Sequence, residues 1–183
     1  MRIIGGSLRG SKLEVLDAPG LRPTPDRVRE TLFNWLMPVI EGARCLDLFA
    51  GTGALGIEAL SRGAAAVDFV ESDARLVAQL RANLLRLKQT ASVHSMSANR
   101  FIESTEHHYD IVFIDPPFAE NLWESSIEAM EIKSVLSADA WIYVEAPAER
   151  HLVAPATWLL HREGHAGALR FMLYRRVMPS AKL

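Results

Sequence analysis

The distribution of apolar residues along the chain shows two periods, one typical of buried strands and one typical of amphipathic helices. Short runs rich in Val, Ile, Phe and Ala predict strands near 44–49, 66–71, 91–95, 110–115 and 140–146. The longer stretches between them have helical spacing and predict helices near 54–62, 73–88, 98–104 and 121–136. Strands and helices that alternate in this way favour a parallel sheet with helices on both faces.

The beginning of the chain has a different pattern. Residues 2–4 and 12–15, joined through glycines, predict a small β-hairpin ahead of the main fold. Thr24 is predicted to cap a helix in which the following proline takes the first position and apolar residues recur at helical spacing. We therefore expect a hairpin extension over 1–20 and a main domain over 21–183.

The end of the chain predicts an antiparallel strand pair. Residues 158–161 and 169–175 are the two strand-like segments, and Gly164 and Gly167 lie between them. Glycines between two such runs are typical of a turn that reverses the chain. The predicted sheet therefore has antiparallel strands at the end of the chain.

Length and composition fit one compact domain. With 183 residues, of which 49% are hydrophobic, the chain can bury one core and is too short for two ordinary enzyme domains. No run approaches the roughly 20 apolar residues of a membrane span, and the start has no signal-peptide pattern, so a cytoplasmic protein is expected. The single cysteine, Cys45, is expected to pack in the core, and the spacing of the six histidines predicts no metal site.

A glycine loop follows the first predicted strand of the sheet. Gly51, Gly53 and Gly56 satisfy the spacing G-x-G-x-x-G between a strand and a helix, where the backbone must turn sharply and approach a ligand closely. The next predicted strand ends in Glu71, at the distance from the loop where a carboxylate accepts hydrogen bonds from a ribose. The combination indicates a cofactor that contains adenosine.

Two further features distinguish the possible cofactors, since the glycine loop would serve NAD as well. Asp47 precedes the loop and suits the α-ammonium of an amino acid, whereas it is unfavourable beside a pyrophosphate. Asp115-Pro116-Pro117-Phe118 ends the fourth strand, and its stiff turn, free carbonyls and aromatic ring suit an amino group on a flat ring. This combination resembles the class I S-adenosylmethionine-dependent methyltransferases that methylate amino groups.

The resemblance extends over nearly the whole chain to one family. The chain is similar to the bacterial 16S ribosomal RNA guanine-N2 methyltransferases in Arg2-Ile3-Ile4-Gly5-Gly6, in Arg22-Pro23-Thr24-Pro25-Asp26-Arg27-Val28-Arg29-Glu30, in the two motifs above and in Tyr143-Val144-Glu145. The resemblance implies a Rossmann-like α/β fold with a seven-stranded, mostly parallel sheet whose last strand is antiparallel. It also implies an enzyme that transfers a methyl group from S-adenosylmethionine to the N2 amine of a guanine in 16S rRNA.

The motifs and the resemblance together predict the site residues. Asp115 and the carbonyl of Pro116 are predicted to accept the two amine hydrogens, while Phe118 stacks on the base. The predicted cofactor-binding residues are Asp47, Ala50, Gly51, Gly53, Glu71, Ser97 and Ala98. The last two stand where the superfamily often has Asp or Asn, so backbone N–H groups are expected to contact the adenine.

The charge distribution adds an expectation about the partner. The net charge is −2, yet residues 1–29 carry six basic side chains against three acidic ones. The predicted RNA-binding residues are Arg2, Arg9, Arg22, Arg27 and Arg29. We expect 16S rRNA as the partner, within a 30S subunit or an assembly intermediate, and a monomeric protein that does not bind membranes.

Three other functions remain open on the sequence. A DNA N6-adenine or N4-cytosine methyltransferase would also use Asp-Pro-Pro-Phe to hold an exocyclic amine. A protein glutamine methyltransferase usually has Asn where Asp115 stands. A binding module that has lost catalysis is disfavoured because Asp47, Glu71 and Asp115 are all present.

Overall fold

A seven-stranded sheet forms the centre of the computed structural model, which describes residues 1–17 and 22–178. The strands are β1 Arg44–Asp47, β2 Ala66–Glu71, β3 Ser92–Ser95, β4 Tyr109–Ile114, β5 Leu136–Pro147, β6 Trp158–Ala166 and β7 Leu169–Arg176. Their order is β3-β2-β1-β4-β5-β7-β6. The first five strands are parallel, β7 pairs antiparallel with β5, and β6 pairs antiparallel with β7. The predicted fold class is confirmed.

Helices cover both faces of the sheet. They are α1 Asp26–Leu36, α2 Ala54–Ser61, α3 Ala74–Arg86, α4 Ala98–Ser104 and α5 Trp123–Lys133, with a short 3-10 helix at Phe118–Glu120. Alternate strand residues enter two separate cores: Cys45 and Phe113 pack with α1, α2 and α3, whereas Leu46 and Val112 pack with α4 and α5. Among the described residues, no helix is long and apolar enough to cross a membrane.

The predicted N-terminal hairpin is reduced to a single antiparallel bridge between Arg2 and Lys12. Ile3 and Leu13 are almost completely buried in the core that contains α1. The carboxylate of Glu58 in α2 accepts backbone hydrogen bonds from the residues after Ile3, at 2.9 and 2.8 Å. This segment therefore packs on the main domain, and the predicted boundary between residues 20 and 21 lies outside the described residues.

The predicted cap at Thr24 is wrong. Helix α1 begins at Asp26 after Pro25 and has no side-chain cap. The Thr24 side chain is buried instead, and its hydroxyl donates a 2.7 Å hydrogen bond to the carboxylate of Glu145 at the end of β5. A partner 121 residues away in the sequence has therefore replaced the local cap.

The C-terminal strand pair is confirmed, with longer strands than predicted. Gly167 has φ 60° and forms the turn between β6 and β7. Gly164 lies within β6, opposite Phe171, and a Cβ atom there would come within 2.3 Å of the Phe171 ring. The glycine that was assigned to the turn therefore provides space for an aromatic ring.

Candidate active site

The strand order reverses between β1 and β4, and a cavity of about 590 Å³ lies at the carboxyl ends of the strands there. Parallel α/β sheets bind ligands at such a switch point because the two flanking loops diverge. The predicted residues that line the cavity are Asp47, Ala50, Gly51, Glu71, Ser97, Ala98, Asp115, Pro116 and Phe118. Residues far apart in the sequence are thus brought to one site.

The three glycines of the loop have different roles. Gly53 does not line the cavity; it precedes α2 with φ 78°, and a Cβ atom there would come within 2.3 Å of Leu80. Gly56 lies in α2 against Phe69, whose ring would be 2.2 Å from an added Cβ atom. Gly51, with φ 53°, is the glycine of this loop that faces the cavity. The motif thus fixes the loop conformation and the packing of α2 on the sheet.

Asp47 is a buried acid at the end of β1. Its side chain accepts a 2.9 Å hydrogen bond from the backbone N–H of Gly56, which ties it to the first turn of α2. Burial, together with the charges of Glu71 and Glu145, raises the pKa of Asp47 to about 7, although the Gly56 bond opposes the shift. A cation bound beside Asp47 would stabilise its ionised form, so the position suits an ammonium group.

Glu71 at the end of β2 supports the loop as well as facing the cavity. One carboxylate oxygen accepts from the backbone N–H of Gly51 at 2.9 Å, and the other accepts from that of Asp73 at 2.8 Å. Each oxygen of a carboxylate can accept a further hydrogen bond. The half-buried side chain can therefore receive a ribose hydroxyl without releasing the loop.

Ser97 and Ala98 form the adenine side of the cavity in the predicted arrangement. The Ser97 hydroxyl caps α4 by accepting from the backbone N–H of Arg100 at 3.4 Å. Ala98 is the first residue of that helix, and both residues line the cavity together with Met96. This wall of the cavity combines an apolar side chain with the start of a helix, which agrees with recognition through backbone groups.

Asp115-Pro116-Pro117-Phe118 follows β4 and lines the cavity together with the glycine loop. Phe118 packs against Trp123 with ring centroids 5.7 Å apart. The Arg22 guanidinium lies 5.7 Å from the centroid of the Phe118 ring. The half-buried aromatic ring and a cation thus stand together at the edge of the cavity, where a nucleic-acid base and a phosphate could meet.

Sequence reasoning missed one site residue, Glu145, which is 3% exposed at the end of β5. Its Oε1 atom accepts hydrogen bonds from the hydroxyls of Thr24 at 2.7 Å and Tyr143 at 2.8 Å. Ile114 and Val144 are paired in the sheet, so Asp115 and Glu145 follow at the same level on neighbouring strands. The signal was present in Tyr143-Val144-Glu145, an acid at the carboxyl end of a predicted strand.

Burial raises the pKa values of both Asp115 and Glu145, and the charges of Glu145 and Asp47 raise the pKa of Asp115 further. Burial is the largest cause for each group. Hydrogen bonds from Thr24, Tyr143 and Asp115 lower the pKa of Glu145, whereas the hydrogen bond to Glu145 raises the pKa of Asp115 and a contact with Thr24 lowers it. Glu145 is thus the carboxyl that receives the two hydroxyl donors of the site.

The RNA-binding prediction for Arg29 is wrong. This side chain is completely buried, pairs with Asp26 at 2.6 Å and with Glu58 at 3.6 Å, and donates to the backbone carbonyl of Arg2 at 3.0 Å. Its position in α1 turns it towards the core rather than towards the surface. Arg29 therefore connects α1, α2 and the N-terminal segment.

The other four predicted arginines, Arg2, Arg9, Arg22 and Arg27, are exposed. Arg22 lines the cavity beside Phe118, as described above. Arg27 is the second residue of α1 and lies on the exposed side of that helix. Arg2 and Arg9 lie in the N-terminal segment, which contacts the end of α2 at Ser61, and neither lines the cavity.

Known proteins match this chain over nearly its whole length. The family model described as "Conserved hypothetical protein 95" matches residues 1–175. The "Ribosomal RNA small subunit methyltransferase D" of Escherichia coli strain K12 is 52% identical over 178 residues, which cover 96% of this chain and 90% of that protein. The protein of the same name from Haemophilus influenzae is 46% identical and covers 96% and 93%, respectively. The solved structure of Escherichia coli yhhF is 50% identical, with a TM-score of 0.89 over 98% of this chain and 99% of that one.

Proposed function

Because the chain belongs to the family described as conserved hypothetical protein 95, together with these rRNA small subunit methyltransferases, we propose that it methylates the exocyclic N2 amine of a guanine in 16S rRNA. S-adenosylmethionine is the methyl donor. The observation that carries the proposal is that Asp115-Pro116-Pro117-Phe118 shares one cavity with Asp47 and Glu71. An amine-binding motif therefore faces an adenosine-binding loop.

The donor set in the cavity fits S-adenosylmethionine. Asp47 is a buried carboxyl with a raised pKa, and the α-ammonium of the methionine part would lower that pKa and stabilise the carboxylate. Glu71 would accept hydrogen bonds from the ribose while it continues to hold Gly51. Ser97 and Ala98 would border the adenine. The fit favours this cofactor over NAD, since a pyrophosphate beside Asp47 would meet a like charge.

The reaction requires alignment more than activation of a nucleophile. The bound cofactor supplies a strongly electrophilic methyl group on a sulfonium. An oxygen of Asp115 and the carbonyl of Pro116 accept the two hydrogens of the amine and turn the nitrogen lone pair towards the methyl group. Phe118 stacks on the base and fixes its plane. Well-set geometry of this kind can lower the activation barrier by roughly 7–11 kcal/mol.

The target guanine must be unpaired or turned out of its helix to reach Asp115, because a paired base does not expose its amino group to such a cavity. Arg22 and Arg27, both exposed, would contact phosphates beside it. A groove of about 280 Å³ next to Arg27, lined by Trp35 and Phe171, could receive a neighbouring nucleotide. These few contacts suit a folded target better than unspecific attraction, given the net charge of −2.

The substrate is expected to be the 16S rRNA within a 30S subunit or an assembly intermediate, with the enzyme acting as a monomer in the cytoplasm. A folded particle would present the guanine and the surrounding phosphates in a fixed arrangement. That arrangement compensates for a basic surface limited to a few arginines.

Methyl transfer from tritiated S-adenosylmethionine tests the proposal. The acceptors are unmodified 16S rRNA made by transcription, 30S particles reconstituted from it, duplex DNA and a protein extract. We expect label in the RNA or the particles, with no transfer to DNA or protein. Particles that already carry the methyl group serve as the control and should accept no label. Faster labelling of DNA would instead favour the N6-adenine or N4-cytosine activity.

A further inference from the structure

We infer that Glu145 is a positioning residue that acts through Asp115 and is the final acceptor of the proton that the guanine amine releases. The inference rests on the proposed function, which supplies the amine. It assigns the base of the reaction to a pair of carboxyl groups, in a site where the described residues place no histidine or lysine.

Sheet geometry brings the two carboxyl groups together. Strands β4 and β5 are parallel and in register at Ile114 and Val144, so the next residues, Asp115 and Glu145, stand side by side. Neighbouring strands are about 4.8 Å apart, and residues at the same level point to the same face. Both side chains line the same cavity, and two neighbouring carboxyl groups can share a hydrogen bond only if one of them carries a proton.

Two hydroxyl groups identify Glu145 as the ionised member of the pair. Thr24 and Tyr143 both donate to its Oε1 atom, at 2.7 and 2.8 Å. Donors of this kind stabilise a carboxylate and lower its proton affinity. Asp115 therefore carries the proton, donates it towards Glu145, and leaves its other oxygen free to accept from the amine.

The surroundings hold the pair at a single negative charge. The groups closest in effect are the carboxyl of Asp47 on β1 and the phenol of Tyr143 on β5, and neither is cationic. The carboxyl of Glu71 and the guanidinium of Arg22 line the same cavity, with Arg22 at its edge beside Phe118. Burial raises the pKa of the Tyr143 phenol, so this group remains a neutral donor. A second negative charge on two adjacent carboxyls, of which Glu145 is buried, would be strongly unfavourable.

The proton moves in two linked steps. As the bond from N2 to the methyl carbon forms, the bond from carbon to sulfur breaks and its electron pair stays on sulfur. The N–H proton passes to the free oxygen of Asp115, while the proton already on Asp115 passes to Glu145. The pair changes from one negative charge to none, and the sulfonium loses its positive charge. The summed charge of the carboxyl pair and the sulfur is therefore zero before and after transfer.

The pH dependence of kcat/KM in Glu145→Gln tests this relay. The amide retains an oxygen for Thr24 and Tyr143, but it cannot take up the proton. Asp115 must then ionise by itself with fewer donors around it. We expect the acid limb of the profile to move to higher pH by about one unit or more, and kcat to fall by about tenfold or more, with S-adenosylmethionine affinity within threefold.

Two milder variants keep the test valid if Glu145→Gln fails to fold. Tyr143→Phe and Thr24→Val each remove one donor from Glu145 and leave both carboxyls in place. Each should move the acid limb in the same direction by a smaller amount. A merely structural role would lower activity equally at all pH values. An unmoved acid limb in folded variants that bind the cofactor would overturn the inference.

Carboxyl carbon NMR of the wild-type protein separates this inference from the proposed function. In protein labelled with ¹³C at aspartate and glutamate side chains, Glu145 should ionise at lower pH than Asp115. The reverse order would refute the relay, whichever substrate the enzyme uses. Failure to methylate rRNA at any pH, by contrast, would refute the proposed function.

Discussion

Replacing Arg29 by methionine should destabilise the protein without a direct effect on RNA recognition. Methionine fills much of the same space but removes the cation between Asp26 and Glu58. Removing one partner of a buried ion pair typically costs about 3–5 kcal/mol. The surroundings of Asp26 and Glu58 place the loss in the free energy of unfolding near the lower end of this range.

Asp26 contributes little to the cost because its side chain is 73% exposed and remains hydrated without Arg29. Glu58 is completely buried, yet it keeps Arg62 at 2.9 Å and two backbone N–H donors. The remaining loss of stability comes from the Glu58 carboxylate, whose negative charge has one cation fewer beside it, and from the lost hydrogen bond to the carbonyl of Arg2. A loss of about 3 kcal/mol in a chain of this length lowers Tm by about 6–12 °C.

Arg27→Met provides the matched control, since it lies two residues away on the exposed side of the same helix. Thermal unfolding followed by circular dichroism should show a Tm change of at most about 2 °C for Arg27→Met. The dependence of RNA affinity on salt should show the opposite pattern, with a slope reduced by about one in Arg27→Met and unchanged in Arg29→Met. An unchanged Tm in Arg29→Met, together with a reduced slope, would refute the reasoning.

Further expectations concern the cofactor and the base. Glu71→Ala should weaken S-adenosylmethionine binding in calorimetry by roughly 1–3 kcal/mol, because it removes an acceptor for the ribose and the support of the loop, and unchanged affinity would contradict that assignment. The wild-type protein should show no binding of NAD. Because the pKa of Asp47 is raised from 3.8 to about 7, its stabilising contribution is present below pH 4 and is lost as the pH rises to about 7. An ammonium partner lowers this pKa again, so cofactor binding near pH 7 should release protons. Calorimetry in buffers of different ionisation enthalpy measures the release, and Asp47→Asn should abolish it. Phe118→Ala should weaken base capture by roughly 1–3 kcal/mol, and RNA affinity within twofold of wild type would exclude stacking on this ring.

Local sequence patterns predicted most of the sheet because each buried strand is itself a run of apolar residues. The segment predicted at 66–71 is Ala66–Glu71 in the structure, and the helix predicted at 98–104 is Ala98–Ser104. Boundaries shifted where a single residue ends an element. Helix α5 ends before Ser134, which has φ 53°, and this allows β5 to begin earlier than predicted.

Residues whose partners are distant in the sequence were assigned wrongly. Thr24 has the form of a helix cap, and Arg29 belongs to a basic cluster, so both were assigned from their neighbours in the chain. Their actual partners, Glu145 and Glu58, are fixed only when the sheet forms and α1 packs on α2. The motifs predicted residues that line the cavity, with Gly53 as the exception, whereas the pairing of Asp115 with Glu145 depends on the register between β4 and β5.

Identification of the methylated nucleoside tests the central claim most directly. Unmodified 16S rRNA or reconstituted 30S particles are incubated with tritiated S-adenosylmethionine, digested to nucleosides and separated against standards. Asp115→Ala, with cofactor binding checked separately, serves as the control, since its loss should appear mainly in kcat. The account predicts label in N2-methylguanosine with the wild-type enzyme and little or none with Asp115→Ala. Label in a methylated adenosine or cytidine, or full turnover by Asp115→Ala, would contradict it.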